Sequence, residues 1–154
     1  MTVRLEEMES RPLPVSRVYV VENEITYLAF PGLDDAVVIF GGGYAVGRLA
    51  PLRWLSDRKL FYWGDLDTHG FAILNVLRRL FPHTRSLLMD RKTLLDNESQ
   101  WVREPDPTSQ RLGLLNPAEF DLYQDLVENS FGPAVRLEQE RVRFSAITDA
   151  ICGG

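Results

Sequence analysis

The chain carries a single cysteine, Cys152, and only two histidines, His69 and His83. One thiol cannot close an internal disulfide, which fits a reducing compartment. Two histidines with no thiol partner make a zinc site a poor expectation. Long apolar runs are also missing. Nothing approaches the roughly 20 residues that a membrane helix needs, and the opening MTVRLEEMESRPLP has no apolar signal-peptide core. A cytoplasmic protein without a membrane segment is therefore expected. Positive charge is not in excess either. The net charge of −5 excludes binding to nucleic acid by bulk charge alone. A cluster of acids built to hold divalent cations would contribute to the same sign, so enzymes acting on nucleic acid stay open.

What is present suits one soluble domain. At 154 residues the chain is long enough for a real core, and 45% hydrophobic with 25% charged residues is ordinary for that class. Four short runs stand out: VYVV (18–21), AVVIF (36–40), LFYW (60–63) and SLLM (86–89). They are β-branched or aromatic, and polar residues do not alternate through them. Strands buried on both faces look like this and usually belong to a parallel sheet.

Helical stretches separate the runs. Residues 23–30 read as a short helix stopped by Pro31, and 44–57 as a helix disturbed at Pro51. Over 68–81, Phe71, Leu74, Leu77 and Phe81 share one stripe, and Pro82 ends it. Thr93 and Asp96 have capping-box spacing, and Asn116-Pro117 opens a further helix. REPDPTSQ (103–110) reads as a mobile loop. Alternating strands and helices predict an α/β fold with a mostly parallel four-stranded sheet flanked by helices. Residues 1–16 read as an extension or linker ahead of a domain over 17–154.

The strand ends carry the chemistry. Glu22 follows the first run, Gly41-Gly42-Gly43 the second, Gly64-Asp65-Leu66-Asp67 the third and Asp90 the fourth. Open α/β sheets bind ligands outside the carboxyl ends of their strands. If the first and third strands are neighbours, Glu22, Asp65 and Asp67 converge and repel one another, which a divalent cation relieves. Helix capping by Asp67 or Thr68 accounts for one acid and leaves Asp65 without a role. GGGYAVG departs from the dinucleotide fingerprint and follows the second strand rather than the first. D-x-D-T is similar to the haloacid-dehalogenase motif, but here it follows the third strand and His69 comes next.

A Glu after the first strand and D-x-D after the third is the pattern of the Toprim domain of topoisomerases, primases and old-family nucleases. GDLDTHG resembles the D-G-D-P-x-G segment of the type IIB topoisomerase A subunit at Asp65, Asp67 and Gly70. A narrower resemblance rests on six ordered segments: VENEITYLAFP, FGGGYAVG, YWGDLDTHGFAIL, SLLMDRKTLL, EPDP and RLEQERV. They resemble the C-terminal domain of the nuclease subunit of Wadjet anti-plasmid systems over roughly residues 17–148. Two departures accompany it. Asn23 stands where many Toprim domains have Gly, and the N-terminal DNA-binding part of that subunit is not in this sequence. An isolated catalytic domain or a shortened homologue is expected, needing that region or its partners for full activity.

The resemblance implies a Toprim-like (Rossmann-like) catalytic domain over 17–154 that hydrolyses DNA phosphodiesters with Mg²⁺ or Mn²⁺. Asp65 and Asp67 would hold the metal, Glu22 would be a ligand or the general base, and Glu138 and Glu140 would complete the shell. Arg136, Arg141, Arg143 and His69 would contact DNA. SMC-like partner subunits of a Wadjet complex are implied, and a homodimer is open. A catalytically silent Toprim scaffold for dimerisation or partner binding is the alternative. The five tyrosines are poorly placed for covalent attack, so an activated water is the expected nucleophile, with Tyr44 nearest the site.

Overall fold

The computed structural model describes residues 5–22, 35–142 and 144–152. The helix expected over 23–30, Asn23 and Arg143 lie outside the described residues. Four strands, β1 (Arg17–Val21), β2 (Ala36–Phe40), β3 (Lys59–Trp63) and β4 (Arg85–Ser86), form one all-parallel sheet in the order β2-β1-β3-β4. The first three sit where the unbroken apolar runs predict them. Val18, Val20, Val21, Tyr62 and Trp63 are buried, whereas β2, at the sheet edge, is mostly half-buried. Tyr19 stacks on Phe61 across β1 and β3 with ring centroids 4.9 Å apart. Each aliphatic side chain buried here contributes roughly 1.5–3 kcal/mol.

Register then places the chemistry. Val21 pairs with Phe40 on one side and with Trp63 on the other. The three strands therefore end level, and Glu22, Gly41 and Gly64 start from one edge. The main helix, α2 (Thr68–Leu80), begins immediately beyond this edge and buries Phe71, Leu74 and Leu77 in the core. Ahead of β1, α1 (Leu5–Ser10) is fastened to the body: the Trp54 indole N–H donates to the Met8 carbonyl at 2.7 Å.

Several expectations require correction. The fourth run is not a strand over 86–89. β4 stops at Ser86 because Leu88 takes a left-handed backbone (φ 57°), which an extended strand cannot contain. Leu87 and Met89 are apolar because they are buried after the turn. The helix expected over 44–57 is two 3-10 segments, Gly43–Leu49 and Arg53–Asp57. They are broken at Pro51, which lacks an N–H to continue the helix. The capping box at Thr93 and Asp96 does not form. Asp90 caps α3 (Arg91–Asp96), its carboxylate accepting from Thr93 N at 2.8 Å.

Asn116 does cap α4 (Pro117–Val127), with Glu119 completing the reciprocal box. Nor is 103–110 a free loop. Glu104 is buried beneath the start of α2, and β5 (Val102–Arg103) pairs antiparallel with β6 (Val135–Arg136). Helix α5 (Phe144–Cys152) was not anticipated. Among the described residues, no helix is long and apolar enough to cross a membrane.

Candidate functional site

A cavity of about 300 Å³ opens at the carboxyl edge of the sheet. Glu22, Tyr62, Asp65, Asp67, His69, Glu104 and Arg136 line it. Of the acids expected from the sequence, Glu22, Asp65 and Asp67 meet here, because β1 and β3 are neighbours in flush register.

Each of these three carboxylates has one oxygen held by a main-chain N–H. Glu22 Oε2 accepts from Gly43 N, Asp65 Oδ1 from Gln139 N at 2.9 Å, and Asp67 Oδ1 from Gly70 N at 2.7 Å. The last bond is the N-cap of α2, so the capping role of Asp67 is real. It uses only one of the two oxygens. Backbone approaches this close need glycine. A Cβ at position 70 would collide with the Asp65 carbonyl, and one at position 41 would lie 2.5 Å from Glu22 Oε1.

The second oxygens are treated differently. Asp65 Oδ2 faces Arg136 Nη2 at 2.6 Å, and Asp67 Oδ2 faces Arg136 Nε at 3.2 Å. Glu22 Oε1 is buried and has no hydrogen-bond partner. The Tyr62 hydroxyl lies near Glu22, close enough to lower its pKa, yet the two do not meet at hydrogen-bonding geometry.

Electrostatics follow from this arrangement. Burial pushes the Glu22 carboxyl up to about 7; the Asp65 charge adds to the rise, and the Gly43 N–H, Tyr62 and Arg48 oppose it. Asp67 is also raised to about 7, first by burial and then by the Glu104 and Asp65 charges. The Gly70 N–H and Arg136 oppose that shift. Two buried acids poised near neutrality in one cavity mark a site that is electrostatically incomplete.

Other expected residues lie around this centre. The His69 ring is held between the Tyr44 hydroxyl, 2.7 Å from Nδ1, and the Asp106 carbonyl, 2.7 Å from Nε2. A carbonyl only accepts, so Nε2 carries a proton and the neutral ring accepts the Tyr44 proton at Nδ1. Glu138 is not in the cavity wall. It pairs with Glu140, whose carboxyl is raised by burial and by that neighbour, and whose charge interacts with Asp65. Arg141 is exposed.

Glu104 was missed from the sequence. Its carboxylate accepts from the Thr68 hydroxyl at 2.7 Å and from His69 N at 3.0 Å, bracing the first turn of α2. The EPDP segment was visible, but a turn-rich stretch gives no local sign that its acid is buried. As the side chains stand, no group of three or more His, Cys, Asp or Glu among the described residues is spaced to hold a metal ion.

Sheet and cavity together define a class: an α/β domain whose parallel strands carry a cluster of acids to one edge, one of them with an unpartnered buried oxygen. The family model described as "Wadjet protein JetD, C-terminal" matches residues 1–151, and the chain belongs to that family. Membership ties it to the multi-subunit Wadjet anti-plasmid system. No curated protein matches the chain.

Proposed function

We propose that this domain is a divalent-metal-dependent DNA endonuclease, hydrolysing phosphodiesters for plasmid defence. The observation that carries this reading is the shared pattern of Glu22, Asp65 and Asp67: one oxygen anchored by backbone, the other facing the Arg136 cation in the two aspartates and facing no partner in Glu22. The donor set is all oxygen, which suits Mg²⁺ or Mn²⁺ rather than a softer metal. The orphaned Glu22 Oε1 is the atom such an ion would satisfy.

Asp65 and Asp67 would hold the ion, with Glu22 as a third ligand or as the proton acceptor. Its pKa near 7 suits the second role. When bound, the ion stabilises charge developing on the scissile phosphate and acidifies water. Glu140 lies within electrostatic reach of Asp65 and Glu138 within reach of Arg136, and both would adjust the charge of the site. His69, whose ring nitrogens are held by Tyr44 and Asp106, would contact a phosphate oxygen by giving up its Nε2–H bond to the Asp106 carbonyl. Arg141 and Arg143 would bind the DNA backbone. SMC-like partner subunits would present the DNA.

The rival is a silent scaffold, and one observation favours it: Arg136 pairs with both aspartates, and no ready three-acid group is found among the described residues. The test combines Mn²⁺ titration of the chain with DNA cleavage in the presence of partner subunits, for wild type and Glu22→Gln. Metal binding with cleavage lost in the variant is expected. Full cleavage by Glu22→Gln, or no metal binding by wild type, would remove the nuclease reading. The cut DNA should carry no protein. A protease-sensitive protein–DNA band would point to Tyr44 instead.

A further inference from the structure

Four carboxylates line the cavity, Glu22, Asp65, Asp67 and Glu104, against one guanidinium, Arg136. The outer oxygens of Asp65 and Asp67 are fixed by Gln139 N and Gly70 N, so both carboxylates are held in orientation independently of Arg136. Their inner oxygens then converge on a single positive centre, Nη2 at 2.6 Å from one and Nε at 3.2 Å from the other. Two anchored carboxylate oxygens aimed at one cation are also what a hard divalent ion requires.

We propose that Arg136 is a resident counter-ion which exchanges with the divalent cation. It holds the inner oxygens of Asp65 and Asp67 in the metal-free protein and releases them when the ion binds. This rests on the metal reading above and adds what the chain does before the metal arrives.

Three further observations support exchange over a permanent ion pair. Arg136 is imperfectly satisfied: its Nε is buried and, although 3.2 Å from Asp67, lacks a hydrogen bond of good geometry. A pair meant to stay buried normally satisfies every donor. The side chain also keeps an exit, since 25% of it is exposed whereas the Asp67 side chain is 5% exposed. Finally, the guanidinium takes up the oxygens that a metal would need, which gives a reason why no three-acid group among the described residues is spaced for an ion as the side chains stand. Two cations cannot share those oxygens without strong repulsion in a largely buried cavity. Once displaced, the long flexible stem of Arg136 would leave its fork at the cavity mouth, where a phosphate would approach.

The test is a calorimetric titration of the full chain with Mn²⁺ alone, for wild type and Arg136→Gln. Removing the competitor should tighten the Mn²⁺ Kd by about tenfold or more; binding by the variant alone would support the proposal equally. Equal or weaker binding by the variant overturns the exchange and leaves the metal reading standing. No binding by either protein overturns both.

A second measurement on wild type covers the case in which Arg136→Gln fails to fold. The Nε–H proton resonance of Arg136, identified by its loss in Arg136→Lys, should shift and exchange faster with water as Mg²⁺ is added. A resonance unmoved at saturating Mg²⁺ overturns the proposal.

Discussion

Two glutamates in this molecule are held in opposite ways. Glu119, at the start of α4, is buried and accepts from Arg78 Nη1 at 2.5 Å, Ser86 Oγ at 2.5 Å and Asn116 N at 2.8 Å. Burial alone would raise its carboxyl, but those hydrogen bonds outweigh burial and the net shift is downward. Glu22, at the end of β1, has one oxygen on Gly43 N and the other on nothing, and its pKa rises to about 7. A saturated carboxylate joins β4, α2 and α4 and needs no further partner. An under-saturated one costs stability and keeps an open valence for a cation. The contrast separates acids that build the fold from acids the fold has to carry.

The largest effect should come from breaking the saturated side. Glu119→Ala strands the Arg78 guanidinium, whose side chain is only 12% exposed, and should cost about 3–5 kcal/mol of stability in urea unfolding. A loss under about 1 kcal/mol would erase the distinction between the two glutamates.

Metal should do for the cavity what Arg78 does for Glu119. At Mg²⁺ one hundred times its Kd, wild type should gain about 2.7 kcal/mol, read as a rise in melting temperature. Asp65→Ala should lose that gain. A variant stabilised by Mg²⁺ as much as wild type would move the metal site elsewhere.

The pH dependence sharpens the same point in metal-free buffer with chelator. Glu22 and Asp67 keep protons to about 7 in the folded chain, against ordinary values of 4.5 and 3.8. Between about pH 4 and 7 the native state therefore binds more protons than the unfolded state, and stability falls as pH rises through that window. Their contribution is fully present below pH 4 and gone above 7. Glu22→Gln should flatten the slope and, at pH 8, stabilise the chain by on the order of 1–3 kcal/mol. A slope unchanged in Glu22→Gln would mean that Glu22 is ionised throughout.

The smallest effect belongs to an exposed pair. Lys92 and Asp96 form an i,i+4 salt bridge on α3 with side chains 84% and 57% exposed. Lys92→Ala should change stability by no more than about 0.5 kcal/mol, and less at high salt. A larger loss would show that exposure is a poor guide to the energetics of this surface.

The strands were legible because parallel strands buried on both faces leave unbroken apolar runs, as VYVV and LFYW do, and the half-buried edge strand AVVIF keeps the same pattern. Asp67 or Thr68 was legible as the cap of α2, and the convergence of Glu22, Asp65 and Asp67 was legible only on the condition, met here, that β1 and β3 are neighbours. The fourth run misled for the same reason that the first three did not. Burial made Leu87 and Met89 apolar, and nothing local showed that Leu88 would turn the chain. The roles of Glu104 and Arg136 were illegible in another sense. Glu104 meets Thr68 36 positions earlier, and Arg136 meets Asp65 71 positions earlier, so no pattern of spacing records either contact. Arg136 was read as a DNA contact from its sequence context, and its placement between two aspartates is a tertiary fact.

The short bridge between Leu66 and Leu137 bears on the order in which the molecule is assembled. Leu66 N donates to Leu137 O at 2.9 Å and Leu137 N donates back at 3.1 Å, closing a ring between the D-x-D turn and the segment that carries Arg136 and Gln139. During synthesis from the N-terminus, β1, β2 and β3 can pair while that segment is still unmade. The nascent sheet edge then holds its acids without the guanidinium or the Gln139 amide that later restrain Asp65. Closing so long a loop is a slow, non-local event compared with forming α2. The acidic edge is thus among the earliest parts of the chain to be built and among the last to take its final form.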